Sequence, residues 1–153
     1  MITTTYANYI LNVLFGISDS LNVPSYVYLG FSSTEPQADG TGITEPSAES
    51  YARVLISGKE TSATERKFTT ATGGIISNSK EILFTAARES WGVLPYWFLS
   101  TSNATGTTGA TVILSGELTG KIATTGVDAE TVPVFYEGEL QASIDVDLSA
   151  AAE

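Results

Sequence analysis

The chain has 153 residues, of which 42% are hydrophobic and 16% charged, and its formal net charge is -10. This composition is too apolar for a disordered chain, so we expect a single folded domain over residues 1–153. An acidic surface repels phosphate backbones and anionic lipids, and we therefore expect neither a nucleic-acid nor a membrane partner. The absence of cysteine and histidine excludes disulfides, cysteine nucleophiles and histidine-based triads.

The N-terminal residues predict a short α-helix over about residues 5–16. Apolar residues recur there at steps of three and four, which is the helical period: Tyr6, Tyr9, Ile10, Val13, Leu14 and Ile17. Thr4 or Thr5 can cap its start, and Gly16 stands where a glycine ends a helix. A helix this short needs a partner for its apolar stripe. We expect it to pack on the protein's own sheet, with docking into a neighbouring subunit as the alternative.

After Pro24 the pattern changes to the alternation that is typical of strands. Turn signals separate a series of predicted strands: 25–32, 51–57, 67–70, 74–78, 81–84, 93–100, 110–115, 131–136 and 141–148. Many short strands at such spacing predict a mainly β fold. We expect a β-sandwich-like domain of short antiparallel strands over residues 25–148, preceded by one short N-terminal α-helix.

Residues 33–50 are polar and predict a long exposed loop. Four of them are carboxylates that a glycosidase could use as a pair, but a solvated acidic loop is the simpler interpretation: Glu35, Asp39, Glu45 and Glu49. Calcium binding at residues 39–42 or 145–147 is equally weakly indicated. We expect no enzymatic activity, cofactor or metal. Arg53 is expected to pair with Glu45 or Glu49 and to tie down the loop.

Both tryptophans lie within seven residues, next to further aromatic residues. If Tyr96 and Phe98 point inward along their strand, Trp97 points outward. An outward tryptophan is typical of an interface, so Trp97 is the best contact candidate of the sheet. A carbohydrate-binding or receptor-binding platform is the alternative function that this cluster suggests.

Several segments occur in the order of a known family. Residues 28–36 read YLGFSSTEP, residues 45–53 read EPSAESYAR, and an asparagine followed by a strand spans 78–84. Residues 86–93 read AARESWGV, residues 112–119 read VILSGELT, and the last predicted strand closes the pattern. The chain resembles small structural proteins of tailed bacteriophages that are labelled tail-fibre, head-fibre or capsid decoration proteins.

The resemblance covers nearly the whole chain, with two departures. Ser50 replaces the usual glycine of the Gly-Tyr-Ala-Arg motif, and residues 96–100 lack a glycine and a histidine of the family pattern. The resemblance implies a non-enzymatic virion protein, most simply a capsid decoration or head-fibre protein bound to the outer shell in many copies. A tail or tail-fibre accessory protein is the alternative.

The same resemblance implies as partners the major capsid protein, or tail and neck proteins, together with further copies of the chain in a homo-oligomer. The first residues show no basic segment followed by an apolar one, so no secretory signal is predicted. We expect synthesis in the bacterial cytoplasm and a final location in the virion.

Overall fold

The computed structural model describes residues 1–18, 23–58 and 65–143. This part of the chain is mainly β, with antiparallel pairing throughout its sheets and an α-helix at the N-terminus. The elements follow in chain order: α1 Thr4–Leu14, β1 Val27–Ser32, β2 Val54–Ser57, β3 Ile75–Ser77, β4 Ile82–Leu83, β5 Tyr96–Ser100, a 3₁₀ turn at Gly109–Thr111, β6 Val112–Glu117, α2 Lys121–Thr124, β7 Val134–Phe135 and β8 Gln141–Ser143.

A four-stranded sheet with the order β2-β1-β5-β6 forms the centre of the fold. Its register places Leu29 opposite Leu99 and Phe31 opposite Trp97. Because successive side chains of a strand point to opposite faces, these four side chains share one face of the sheet. That face is buried, and it forms the floor of the hydrophobic core.

The remaining strands close the core from the other side as two-stranded sheets, β3 with β8 and β4 with β7. Ile82 lies opposite Phe135 in the second of these sheets. The buried apolar side chains form one cluster that spans the four-stranded sheet and the segments above it: Leu29, Phe31, Tyr51, Ile56, Ile82, Phe84, Ala87, Trp91, Leu94, Trp97, Leu99, Val127, Phe135 and Leu140.

Aromatic rings run through this core in contact with one another. Phe31 stacks on Phe84 at 4.3 Å between ring centroids, and Phe135 lies 6.0 Å from Phe31. Trp91 meets Phe84 and Tyr51 edge-on, at 6.3 and 5.3 Å. Each such pair contributes about 0.5–1.5 kcal/mol beyond the area it buries. The aromatic contacts therefore hold irregular segments against the sheet where few strand hydrogen bonds do so.

The first three residues cover the outer edge of β6. Ile2 pairs with Leu114, and the backbone N–H of Thr3 donates to the carbonyl of Ile113 at 3.0 Å. The Thr3 hydroxyl donates to the carbonyl of Val112 at 2.8 Å. An uncovered strand edge is a site of unwanted pairing, and here the N-terminal residues occupy it. The helix α1 therefore starts from a fixed point beside the first residues of β6.

The predicted helix is confirmed, and its end is built as the sequence indicates. Gly16 has a φ of +69°, and the N–H of Ile17 donates to the carbonyl of Asn12 at 2.8 Å. This arrangement is a Schellman motif, which satisfies carbonyls left free at a helix end. The predicted cap is wrong, because Thr3 and not Thr4 or Thr5 occupies that position, and its hydroxyl bonds to Val112 instead.

The expectation that the helix packs on the protein's own sheet is wrong. No residue of α1 is buried. Exposure increases toward its end, where Leu14 and Phe15 are 72% and 73% exposed and Ile17 beyond them is 75% exposed. The helix is held at its start by residues 1–3, and its apolar residues face outward.

Most strands occur where the sequence predicts them and most are shorter, although β6 is as long as predicted and ends two residues later. Residues 67–70 contribute an isolated bridge between Phe68 and Asn78 instead of a strand. The 3₁₀ turn delays the start of β6 to Val112, and α2 is an element that the pattern did not predict. Of the last predicted strand, residues 141–143 pair with β3, and residues 144–148 lie outside the described residues.

Two glycines allow aromatic side chains to lie flat on the four-stranded sheet. A Cβ on Gly30 would stand 2.5 Å from the Phe98 ring, and one on Gly116 would stand 2.9 Å from the Trp97 indole. We expect Gly30→Ala and Gly116→Ala each to lower the free energy of unfolding by about 1–3 kcal/mol, because overpacking forces these rings to move. Urea denaturation measures the loss.

The control is Ala52→Ser, which adds one atom at an exposed position and should change stability by less than about 0.5 kcal/mol. Glycine variants as stable as the parent chain would show that the rings have room to shift.

Candidate functional site

The outward face of α1 is the first candidate site. At its start Tyr6 and Tyr9 meet edge-on at 5.5 Å, and both line a cavity of about 300 Å³ with Val23 and Thr101. Burial raises the pKa of Tyr6 above its ordinary value, and the neighbouring Tyr9 adds to this effect. Of the predicted interface residues, Tyr6 is therefore half-buried at the start of the helix, whereas Tyr9, Ile10 and Leu14 are exposed.

The outer part of the helix carries no charged side chain and is mostly apolar, with Asn8 and Asn12 as its exposed polar residues. Its exposed side chains continue into the residues that follow it: Tyr9, Ile10, Leu11, Leu14, Phe15, Ile17, Val23 and Tyr26. Val13, also predicted as an interface residue, is half-buried. No charged side chain occurs in residues 1–18, although the whole chain carries -10. Single exposed apolar residues are ordinary, whereas many of them on one short helix and the residues after it form a candidate interaction surface.

The second feature is a buried ion pair beneath the long loop. Arg53 Nη2 lies 2.8 Å from Glu45 Oε2, and Arg53 Nε donates to Glu45 Oε1 at 2.9 Å. The two parallel hydrogen bonds form the fork that guanidinium and carboxylate groups prefer. Both side chains are almost fully buried. Glu49, the other predicted partner, takes no part: its backbone N–H donates to Glu89 instead.

The other N–H groups of the Arg53 guanidinium also donate hydrogen bonds. Nη1 donates to Ser100 Oγ at 3.1 Å and to the Ser102 carbonyl at 2.8 Å, and Nη2 donates to the Thr107 carbonyl at 2.8 Å. Its central carbon lies 4.8 Å from the centre of the Phe98 ring. A buried charge is stable only when it is paired and hydrogen-bonded, and Arg53 meets both conditions.

These bonds join two loops that are distant in sequence. Glu45 belongs to residues 33–50, and its Oε2 also accepts the N–H of Gly106 at 2.7 Å. Farther along the same two loops, the N–H of Gly109 donates to the carbonyl of Gly40 at 2.8 Å. The long loop is therefore exposed along most of its length but fixed at defined points. Its role here is to support the start of α1, where the N–H of Thr4 donates to the Ala38 carbonyl.

The carboxylates of the long loop lie in different surroundings. Asp39 accepts both the N–H and the hydroxyl of Thr41, and these hydrogen bonds lower its pKa. Glu35 is exposed, and Glu45 is neutralised by Arg53. Within residues 1–18, 23–58 and 65–143, no cluster of three acidic, histidine or cysteine side chains could hold a metal. The second calcium candidate, at 145–147, lies outside the described residues.

Tyr51 completes the ion-pair cluster. Its hydroxyl donates to Glu45 Oε1 at 2.9 Å and accepts the N–H of Phe31 at 3.0 Å, so it connects the pair to β1. Burial raises the pKa of Tyr51, and the negative charge of Glu45 raises it further. The phenol is therefore held neutral inside the fold.

The orientation predicted for Trp97 is wrong. Trp97 shares the core face with Phe31, and only 9% of it is exposed, while Phe98 lies on the opposite face under Arg53. The prediction assumed that one face of the strand meets solvent. In the structure the long loop and Arg53 cover the second face, so both faces of β5 are buried. Trp97 lines a cavity beside α2.

Ser50 and Asn78 connect segments that are distant in sequence. The sequence did not indicate this role for either residue. Ser50 accepts the Trp91 Nε1–H at 3.0 Å. Asn78 is buried, and its amide bonds to the backbone of Lys80, Tyr136 and Leu140. The asparagine within the resembling segment was a usable signal for a buried hub.

A family described as Podophage GP4 fiber I protein gp80 matches residues 1–143. The chain belongs to this family of phage fibre proteins. Membership makes it a structural protein of the virion. No curated protein matches the chain.

The helices of the described residues are short. None of the helices among the described residues has both the length and the apolar character needed to cross a bilayer.

We expect Arg53→Lys to destabilise the protein by about 1.5–3 kcal/mol, because a lysine keeps the charge but cannot form the fork with Glu45, and it leaves the Ser102 and Thr107 carbonyls without the guanidinium donor. Hydrogen exchange should show faster exchange of the Gly106 amide and of residues 33–50. Arg88→Lys, at an exposed position, is the matched control. Unchanged protection of both loops in the Arg53 variant would contradict the proposed tie.

Tyr51 predicts how stability depends on alkaline pH. Its pKa in the folded protein is raised above the ordinary value of 10.0, so its contribution is complete below that value and is lost as pH rises beyond it. We expect the free energy of unfolding to fall above about pH 10, by up to about 1.4 kcal/mol per pH unit. Urea denaturation should show a shallower slope for Tyr51→Phe, whereas Tyr26→Phe, at an exposed site, keeps the parent slope.

Proposed function

We propose that this chain is a non-enzymatic fibre protein that binds the outer shell of the phage head in many copies, and that the outward face of α1 is its attachment surface. Family membership supports a virion fibre protein. The observation that carries the attachment is the helix itself, which begins at a fixed point on the sheet edge and buries none of its residues.

The helix cannot owe its order to its own sequence alone. An isolated helix of eleven residues is marginal in water, and helices in proteins gain most of their stability from packing. The apolar residues of α1 leave that packing to a partner. Burying one leucine or phenylalanine side chain contributes about 1.5–3 kcal/mol before the entropic cost of association, so Leu14, Phe15 and Ile17 give each copy only a modest attraction.

Charge favours the same surface. The chain carries -10, so two copies repel each other, and each repels an acidic shell, wherever charged faces meet. Residues 1–18 carry no charged side chain, and their burial requires no ion to be desolvated. Contact through α1, either with a shell protein or between copies, is the arrangement that electrostatics opposes least.

Many copies make a modest contact effective. When copies associate with each other and with a repeating surface, each further contact is intramolecular and strengthens the whole assembly. A homo-oligomer formed around α1 would combine both contacts, and its acidic β domain would stay solvated and keep particles apart. The nearly complete neutralisation of Glu45 by Arg53 supports a structural role for the buried carboxylate, in place of acid–base catalysis.

We expect the double variant Leu14→Ser, Phe15→Ser to fold normally and to be lost from the virion. Both side chains are exposed, so the β domain should keep its denaturation midpoint, while the attachment surface loses its most accessible apolar groups. Phages complemented with the variant are purified and the amount of this chain per particle is measured by quantitative mass spectrometry. We expect at least a tenfold reduction.

The matched control is Leu83→Ser, Val132→Ser, which removes two exposed apolar side chains from the β domain and should leave incorporation unchanged. Normal incorporation of the helix variant would refute attachment through α1. Electron microscopy of the parent particles then tests the position: density at regular sites of the head supports the proposal, and density confined to the tail favours the tail-fibre alternative.

A further inference from the structure

A cavity of about 620 Å³ opens at the end of the four-stranded sheet that lies away from α1. The first residues of β6 hold the segment from which the helix starts, and its last residue, Glu117, lines the cavity. Other lining residues come from α2, from β7 and from the turn before β8. Its volume lies within the range of about 300–1,000 Å³ that is usual for small-ligand sites.

The wall of this cavity is aromatic and apolar at its base. Trp97, Phe135 and Leu140 line it, and all three are otherwise buried in the core. Tyr136 stands at the rim and is 55% exposed. Aromatic side chains of this kind offer flat faces to the C–H groups of a ligand and, at Trp97 and Tyr136, a polar atom at the edge.

Several polar groups around the cavity lack a partner. No hydrogen bond or ion pair among the described residues uses the Glu117 carboxylate, the Lys121 ammonium group or the Trp97 Nε1–H. By contrast, Glu139 accepts the N–H of Tyr136 at 2.8 Å, and Gln141 Nε2 donates to the Gly138 carbonyl at 3.1 Å. The site therefore offers a free acceptor, a free cation and a free indole donor around an aromatic base.

We propose that this cavity binds a neutral oligosaccharide. The C–H faces of a sugar ring pack on aromatic side chains, and its hydroxyls donate to carboxylates and accept from ammonium and indole N–H groups. The lining contains two glutamates against one lysine, in a chain of net charge -10, which disfavours an acidic ligand. The site does not rest on attachment through α1, because the two features lie at opposite ends of the sheet.

The two tryptophans of the chain make a direct test possible. Trp97 lines the cavity, whereas Trp91 donates to Ser50 and is not part of the lining. The ¹⁵N-labelled protein is titrated with maltotriose, cellotriose or triacetylchitotriose at millimolar concentrations, and the indole N–H signals are followed by NMR. We expect at least one of these sugars to shift the Trp97 signal and leave the Trp91 signal in place. A Trp97→Phe variant assigns the two signals.

Variants locate the contact. Glu117→Gln and Tyr136→Ala should each weaken binding about tenfold, which corresponds to about 1.4 kcal/mol. Tyr26→Ala is the matched control, because Tyr26 is 51% exposed and does not line the cavity. No shift of Trp97 with any of the three sugars, equal shifts of both indoles, or tighter binding of trigalacturonate would overturn the proposal. Loss of particle attachment in the α1 variant would leave this result unaffected.

Discussion

The ion pair between Arg53 and Glu45 joins segments of the chain that are far apart in sequence. It lies between residues 33–50 and the loop after β5, and its remaining hydrogen bonds reach Ser102, Gly106 and Thr107. Neither loop has strand pairing of its own to fix it. Because a buried charge must be fully paired, the chain can bury Arg53 only when both loops are in place. The pair therefore converts two polar loops into a rigid cover over β5.

That cover determines where the helix starts. The Ala38 carbonyl of the long loop accepts the N–H of Thr4, and Gly40 contacts Gly109 of the second loop so closely that a Cβ on it would overlap the Gly109 carbonyl. Residues 1–3 add their pairing along β6. The start of α1 is thus fixed by the sheet edge and by the ion-paired loops, while its apolar residues remain outside. An exposed helix on a rigid base is suited to contact with other proteins.

The molecule consequently presents two chemically different ends. The helix α1, which carries no charged side chain, lies at the start of β6. A cavity lined by aromatic and charged side chains lies at the end of β6. Six strand residues separate the two, a distance of roughly 17 Å at about 3.3 Å per residue. The β domain between them has a continuous core. The proposed attachment surface and the proposed sugar site thus lie at different ends of the sheet.

Local signals in the sequence determined the helix over residues 4–14, its glycine end at Gly16, the mainly β character and most strand positions, because these depend on periodicity and on turn residues. The pairing of Arg53 with a loop carboxylate was also predictable, because the sequence has only 7 lysines and arginines against 17 acidic residues. The choice of Glu45 over Glu49 was not predictable from the sequence. Tertiary structure alone decided which face of β5 carries Trp97 and whether α1 is covered. Alternation along a strand specifies two faces without specifying what lies over each, and an apolar stripe does not specify its partner. Those choices depend on contacts between residues distant in sequence, such as the loops that Arg53 holds over Phe98.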